Sequence, residues 1–216
     1  METSTLISEG YVAELNEKIK GEVLADAYSL GLYSTDASFY QITPLAVVLP
    51  MDDSDVKVAL KIADKYNLCV MPRGGGTSLA GQTVAEAIIL DFSKYMNQIL
   101  ELNVAEKWVN VQPGIVRDEL NEVLATHGLH FAPDPATSSR ANVGGMVGNN
   151  SSGTKSILYG KTVDHILEAN VVLQDGTELH FKNLSNEKYT KITAENTREG
   201  RLYRRIKEVI DRNKEE

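Results

Sequence analysis

The chain has 216 residues, 42% of them hydrophobic and 24% charged. That is ordinary globular composition, with enough length for one or two domains. A net charge of −8 leaves no basic face for general nucleic-acid binding, and a single cysteine, Cys69, excludes an internal disulfide or a multi-cysteine metal site within these residues. The four histidines, at 127, 130, 165 and 180, lack metal-ligand spacing, so no metal is expected. No apolar run approaches the roughly 18 residues of a membrane span, and the N-terminus lacks a signal-peptide core. The expectation is a cytoplasmic α/β protein without an integral membrane segment.

In chain order, residues 11–24 place Val12, Leu15, Ile19 and Val23 on one helical face, within an N-terminal helical segment expected over 1–39. The run AVVL at 46–49 reads as a strand. The following stretch reads as a helix, capped by Asp and Ser residues, with Val56, Ala59, Leu60 and Ala63 inward. LCVM at 68–71 and AIIL at 87–90 read as two further strands. Strand, helix, strand at this spacing is a βαβ unit, whose ligands bind beyond the C-terminal ends of its parallel strands.

KWVNVQPG then reads as a strand ending in a turn. VRDELNEVLATHG reads as a helix with Leu120, Val123 and Leu124 inward and Gly128 as its stop. Residues 131–160 are poor in periodicity but interleaved with Val143, Met146, Val147, Ile157 and Leu158, which predicts a long ordered loop around a ligand. Asp175-Gly176 between alternating runs predicts a hairpin. The tail from 197 to 216 reads as an amphipathic helix with Leu202, Ile206, Val209 and Ile210 on one stripe. That stripe fits packing on this domain or on a continuation better than an RNA or membrane surface.

The stretch PRGGGTSLAGQ raises the chemical question. Consecutive glycines after a strand let a ligand approach the main chain, and successive N–H groups in such a turn form an anion-binding nest, with Arg73, Thr77 and Ser78 as further donors. The dinucleotide fingerprint GxGxxG fails, because Leu79 stands where its third glycine belongs. A Walker loop over Gly76 to Thr83 fails at Gln82, where the phosphate-binding lysine is required. A tight structural turn is the remaining plain alternative. The second Gly- and Asn-rich stretch, at 131–162, favours an extended cofactor held at both ends, as a dinucleotide would be.

PRGGGTSLAGQ, VQPG, FAPDPATSSRANVGGMVGNNSSG and LYGKT, in this order, resemble the FAD-binding domain of the vanillyl-alcohol oxidase/p-cresol methylhydroxylase family over about residues 34–182. Within it the chain is most similar to FAD-linked dehydrogenases of D-2-hydroxy acids such as D-lactate and glycolate. The resemblance implies an α/β (α+β) fold of two subdomains, at about 40–106 and 107–182, with a small parallel βαβ sheet and a mixed or antiparallel one. A helical tail at 183–216 would end before a substrate (cap) domain. It implies a pyrophosphate held by Pro72, Arg73, Gly74, Gly75, Gly76, Thr77, Ser78, Gly81 and Gln82. Pro113, Gly114, Pro133, Asp134, Pro135 and Thr137 would line the adenine and ribose. Val143, Gly144, Gly145, Asn149, Asn150, Ser152 and Gly153 would follow the cofactor toward the flavin, and Tyr159 and Gly160 would close the site.

Relatives that attach FAD covalently use a histidine in the first loop, and none stands here, so noncovalent FAD is expected. The implied activity is hydride transfer from a 2-hydroxy acid to FAD. The alternatives are a reductase of the UDP-N-acetylenolpyruvoylglucosamine type or a nucleotide-binding module without turnover. The residues that orient the acid in such enzymes lie in a cap domain, so the catalytic residues and the electron acceptor are unassigned.

Overall fold

The computed structural model describes residues 2–214; Met1 of the expected N-terminal segment and residues 215 and 216 of the expected tail helix lie outside them. The fold is α/β, as expected, with one four-stranded sheet and two antiparallel strand pairs. Its backbone contacts divide it into residues 1–166 and residues 167–216.

In the first unit, helix α1 (Glu2–Lys18) precedes strand β1 (Glu22–Leu24), and helix α2 (Ala27–Tyr33) follows. Strand β2 (Ala46–Leu49), helix α3 (Asp53–Lys65), strand β3 (Val70–Arg73) and strand β4 (Ile88–Asp91) then make the βαβ unit. The sheet order is β1-β2-β4-β3, with β2 and β3 both parallel to the central β4 and β1 antiparallel to β2. Every residue of β2 and β4 is buried, which is why AVVL and AIIL read as continuous apolar runs rather than alternating ones; β4 starts one residue later than AIIL and ends on Asp91. Helix α3 starts at Asp52, whose carboxylate accepts the Ser54 and Asp55 N–H groups, and buries Val56, Ala59, Leu60 and Ala63 as read from the sequence.

The N-terminal helix is shorter than its apolar spacing predicts. Asp55, 1% exposed, accepts N–H bonds from Lys20, Gly21 and Met51, each at 2.9 Å. Those bonds end the helix, and Val23 joins β1 instead; a buried carboxylate with three backbone donors outweighs one more helical turn. Strand β3 runs two residues later than LCVM predicts. It is an edge strand, so Pro72, which has no N–H, fits within it.

Strands β5 (Ile99–Asn103) and β6 (Trp108–Val111) pair antiparallel, and β5 was not anticipated from the sequence. Helix α4 (Arg117–Ala125) buries Leu120 and Leu124, but Val123 is exposed rather than inward. The stretch 131–166 is not one long loop. It contains the short helices α5 (Val143–Asn149) and α6 (Ser156–Tyr159) and a 3-10 turn at Thr162–His165. Val143 and Met146 are buried, whereas Val147, Ile157 and Leu158 are exposed.

The second unit contains the predicted hairpin, β7 (Glu168–Val172) with β8 (Glu178–Lys182), followed by helices α7 (Asn186–Ala194) and α8 (Arg198–Arg212). Tyr203 on α8 packs edge-on against Phe181 and Tyr189, while Ile206, Val209 and Ile210 remain exposed.

Candidate functional site

The glycine stretch leaves the C-terminal end of β3, where an open α/β sheet presents its ligand-binding crevice. Gly76 and Gly81 have φ of 63° and 70°, a region costly for any residue with a Cβ. Arg73 does not point outward as a charge for a ligand. Its Nη1 donates to the carbonyls of Tyr33 (3.1 Å) and Thr83 (3.0 Å), and its Nη2 donates to that of Thr35 (2.7 Å). The guanidinium also lies 5.2 Å from the centre of the Tyr33 ring. Arg73 is therefore a strut that fixes both ends of the loop to the segment after α2.

That segment holds the loop in other ways. Ala37 N–H donates to the Gly76 carbonyl at 3.0 Å, Thr83 donates to Asp36 at 3.0 Å, and the Tyr40 ring lies against Gly81. The Tyr33 hydroxyl donates to Asp91 at 2.6 Å, and burial, together with this bond, raises its pKa. Ser78 donates to Gln82 at 2.8 Å and accepts the N–H groups of Ala80 and Gln82. By contrast, the N–H groups of Gly74, Gly75, Gly76, Thr77 and Ser78 find no acceptor among the described residues. A run of free backbone donors has the make-up of an anion nest.

Three of the quoted motifs meet beside this loop. A Cβ on Gly75 would lie 2.3 Å from the Arg140 carbonyl, and one on Gly74 would lie 2.6 Å from Asn142 Oδ1. Asn142 Nδ2 donates to the Gly114 carbonyl, and Gly144 N–H donates to the Pro113 carbonyl at 2.8 Å. Gly144 itself is packed against the Pro113 ring. The structure thus gathers Gly74, Gly75, Pro113, Gly114 and Gly144 around Asn142. Gly145 and Gly148 face open space, and Gly145 N–H is also free.

The remaining predicted residues form a second group. Arg117 donates to the carbonyls of Pro133 and Phe131, and Asn121 both donates to and accepts from the Phe131 backbone. The Arg117 guanidinium also pairs with Asp118 and holds its carboxyl below the ordinary range. Asp134 accepts from Lys155 N–H (3.1 Å) and the Thr154 hydroxyl (3.3 Å), so it ties 133–135 to the turn at Gly153. Thr137 and Ser152 are exposed, and Pro135 is half-buried. Asn150, at φ 46°, accepts Val163 N–H, while Asn149 donates to Ser151. The His165 ring donates to the Tyr159 carbonyl at 2.8 Å, and Gly160, at φ 81°, turns the chain there. A cavity of about 210 Å³ lies among Val147, Asn150, Val163 and Ile166.

The model for the FAD binding domain matches residues 44–182. The chain belongs to this FAD-binding family. It is 42% identical over 197 residues to a D-2-hydroxyglutarate dehydrogenase of Pseudomonas putida, a match covering 90% of this chain and 20% of that protein. It is 36% identical to a mitochondrial D-lactate dehydrogenase (cytochrome) of Kluyveromyces lactis, covering 73% of this chain and 28% of that one. The chain thus spans about a fifth of the D-2-hydroxyglutarate dehydrogenase it matches. Among solved structures, an alkyldihydroxyacetonephosphate synthase superimposes with a TM-score of 0.72 at 24% identity, over 84% of this chain and 40% of that one. That likeness shows the fold. No described helix is long and apolar enough to cross a membrane.

The residues present fit the dinucleotide of this family. The free N–H run at 74–78 and the Cβ-free surface at Gly145 and Gly148 suit a diphosphate and the chain attached to it. Asn142, Arg117, Asn121 and Asp36 were not singled out from the sequence. Asn142 alone had a local signal, as the polar residue directly before the Val-Gly-Gly that opens α5. The others bond to groups distant in sequence, Arg117 and Asn121 to the backbone at 131–133 and Asp36 to the Thr83 hydroxyl, and leave no local pattern.

Proposed function

We propose that this chain is the FAD-binding part of a flavin-dependent oxidoreductase that oxidises a D-2-hydroxy acid of the lactate or 2-hydroxyglutarate type. The observation that carries this reading is the unengaged N–H run of Gly74 to Ser78, set beside the Pro113-Gly114 turn and the start of α5. The names of the relatives support the substrate class.

Bound FAD would accept the hydride of the hydroxy acid, and the protein's part is position and electrostatics. Gly74 to Ser78 would hold the diphosphate by backbone donation. Arg73, Ser78 and Gln82 keep that loop in shape, and Arg117 and Asp134 fix the walls at 131–135 and 153–155. Attachment is noncovalent, since Thr77 and its neighbours offer no histidine to the flavin. We place the domain at 40–182 and the protein in the cytoplasm.

Acid precipitation of the flavin-loaded protein tests the attachment: all the flavin should appear in the supernatant, and a yellow pellet would contradict it. The substrate class is tested in the full-length protein by anaerobic addition of D-2-hydroxyglutarate or D-lactate. Bleaching of the flavin band is expected, and an unchanged band with both acids would overturn it.

A further inference from the structure

Asn142 is 3% exposed, and its side chain lies where three motifs of the site converge. Its Nδ2 is engaged by the Gly114 carbonyl. Its Oδ1 is buried and accepts no hydrogen bond among the described residues. Buried acceptors are almost always satisfied, so an orphan in the middle of a binding site calls for a physical reason. Its surroundings supply one. A Cβ on Gly74 would lie 2.6 Å from Oδ1 and one on Gly75 3.4 Å from it, so this acceptor sits beside two glycines whose N–H groups are free. A small change in the glycine turn, which has no Cβ to resist it, is enough to join them.

We propose that Asn142 is a positioning residue for the cofactor loop, whose Oδ1 takes the N–H of Gly74 or Gly75 when the dinucleotide is bound. This rests on the FAD reading given above. One inner N–H then anchors the loop to α5 and to the Pro113-Gly114 turn, while the remaining N–H groups of the run at 74–78 are left to face the diphosphate. The Gly114 bond holds the amide in the required orientation, with its oxygen toward the loop. Asn142 touches no cofactor atom in this scheme; it acts through the loop.

Two substitutions separate this from a merely structural role. Asn142→Leu keeps the branch at Cγ and removes both amide groups, with methyls larger than the amide oxygen and nitrogen. Without FAD the added bulk and the lost Gly114 bond lower the melting temperature of the apoprotein, and removal of the orphaned oxygen offsets part of that, so affinities are compared where both apoproteins are folded. FAD affinity, read by quenching of flavin fluorescence, should fall about tenfold, the equivalent of one lost hydrogen bond. Hydrogen exchange gives an independent reading: FAD should slow exchange at Gly74 or Gly75 in the wild type and not in the variant.

Asn142→Asp serves if the leucine variant does not fold. An ionised carboxylate there opposes the Gly114 carbonyl, whereas a protonated one donates to it as Nδ2 does. Burial raises that carboxyl's pKa, so FAD affinity should recover as pH falls from about 8 to about 5. Wild-type protein that fails to bind FAD would refute the FAD reading. Wild-type binding matched by equal affinity and equal exchange in the leucine variant, or by a pH-independent Asp variant, would overturn the role given to Asn142.

Discussion

Strands β2 and β4 and the glycine loop after β3 are neighbours in one unit, yet different interactions hold them. The strands bury Val47, Val48, Ile88 and Ile89 completely, and each such side chain contributes about 1.5–3 kcal/mol through removal from water. The loop buries little apolar surface. Its form comes from polar struts: Arg73 to three carbonyls, Thr83 to Asp36, and Ser78 within the turn itself. The difference teaches that a site made of backbone donors requires side chains that occupy the surrounding carbonyls, so that the N–H groups stay free.

The contrast can be broken most severely at Gly114, where sheet and site meet. A Cβ there would lie 1.9 Å from the Phe92 carbonyl oxygen and 2.7 Å from that of Met96. Gly114→Val should cost at least about 4 kcal/mol, which chemical denaturation would register as loss of the folded state. A stable variant would mean that this turn is looser than its packing implies.

Arg73→Ala is the next largest change and the one that decides between strut and ligand. It removes the donor from three carbonyls, so the apoprotein should lose about 3 kcal/mol in urea unfolding without any FAD present. An unaltered apoprotein with a salt-sensitive loss of FAD affinity would instead make Arg73 a phosphate ligand.

The smallest effect is expected far from the site, on the ties between α1 and α3. Hydrogen bonds from Lys18 and Lys65 hold the Glu14 carboxyl down at about 2. A depressed carboxylate stabilises the fold above its unfolded pKa, and that contribution disappears as pH falls from about 4.3 toward about 2. Glu14→Gln should therefore flatten the acid limb of the stability profile in that window. An identical profile would show that the two lysines do not engage Glu14 in solution.

The same contrast explains what was legible in the sequence. The apolar runs at 46–49 and 87–90 and the spacing of α3 encode burial, which is local and periodic, so strands, helix and hairpin follow from them. Glycine spacing marked the loop with the free N–H run for the same reason, since a missing Cβ is visible in the letters. The strut contacts of Arg73 were not legible, because its partners at 33, 35 and 83 are neighbours only after folding. Asp55, whose three N–H bonds end α1 early, was hidden in the same way. Residues 131–160 looked like continuous loop because α5 and α6 are too short to show a period.

The free N–H run at 74–78 is proposed to belong to a site of flavin dinucleotide length. Its most direct test is titration of the flavin-free chain with FAD, FMN and ADP, followed by flavin fluorescence and calorimetry. Saturable one-to-one binding of FAD, retained through desalting, is expected, with FMN and ADP each binding far more weakly than the whole dinucleotide. Failure to take up FAD, or equal affinity for ADP and FAD, would contradict it.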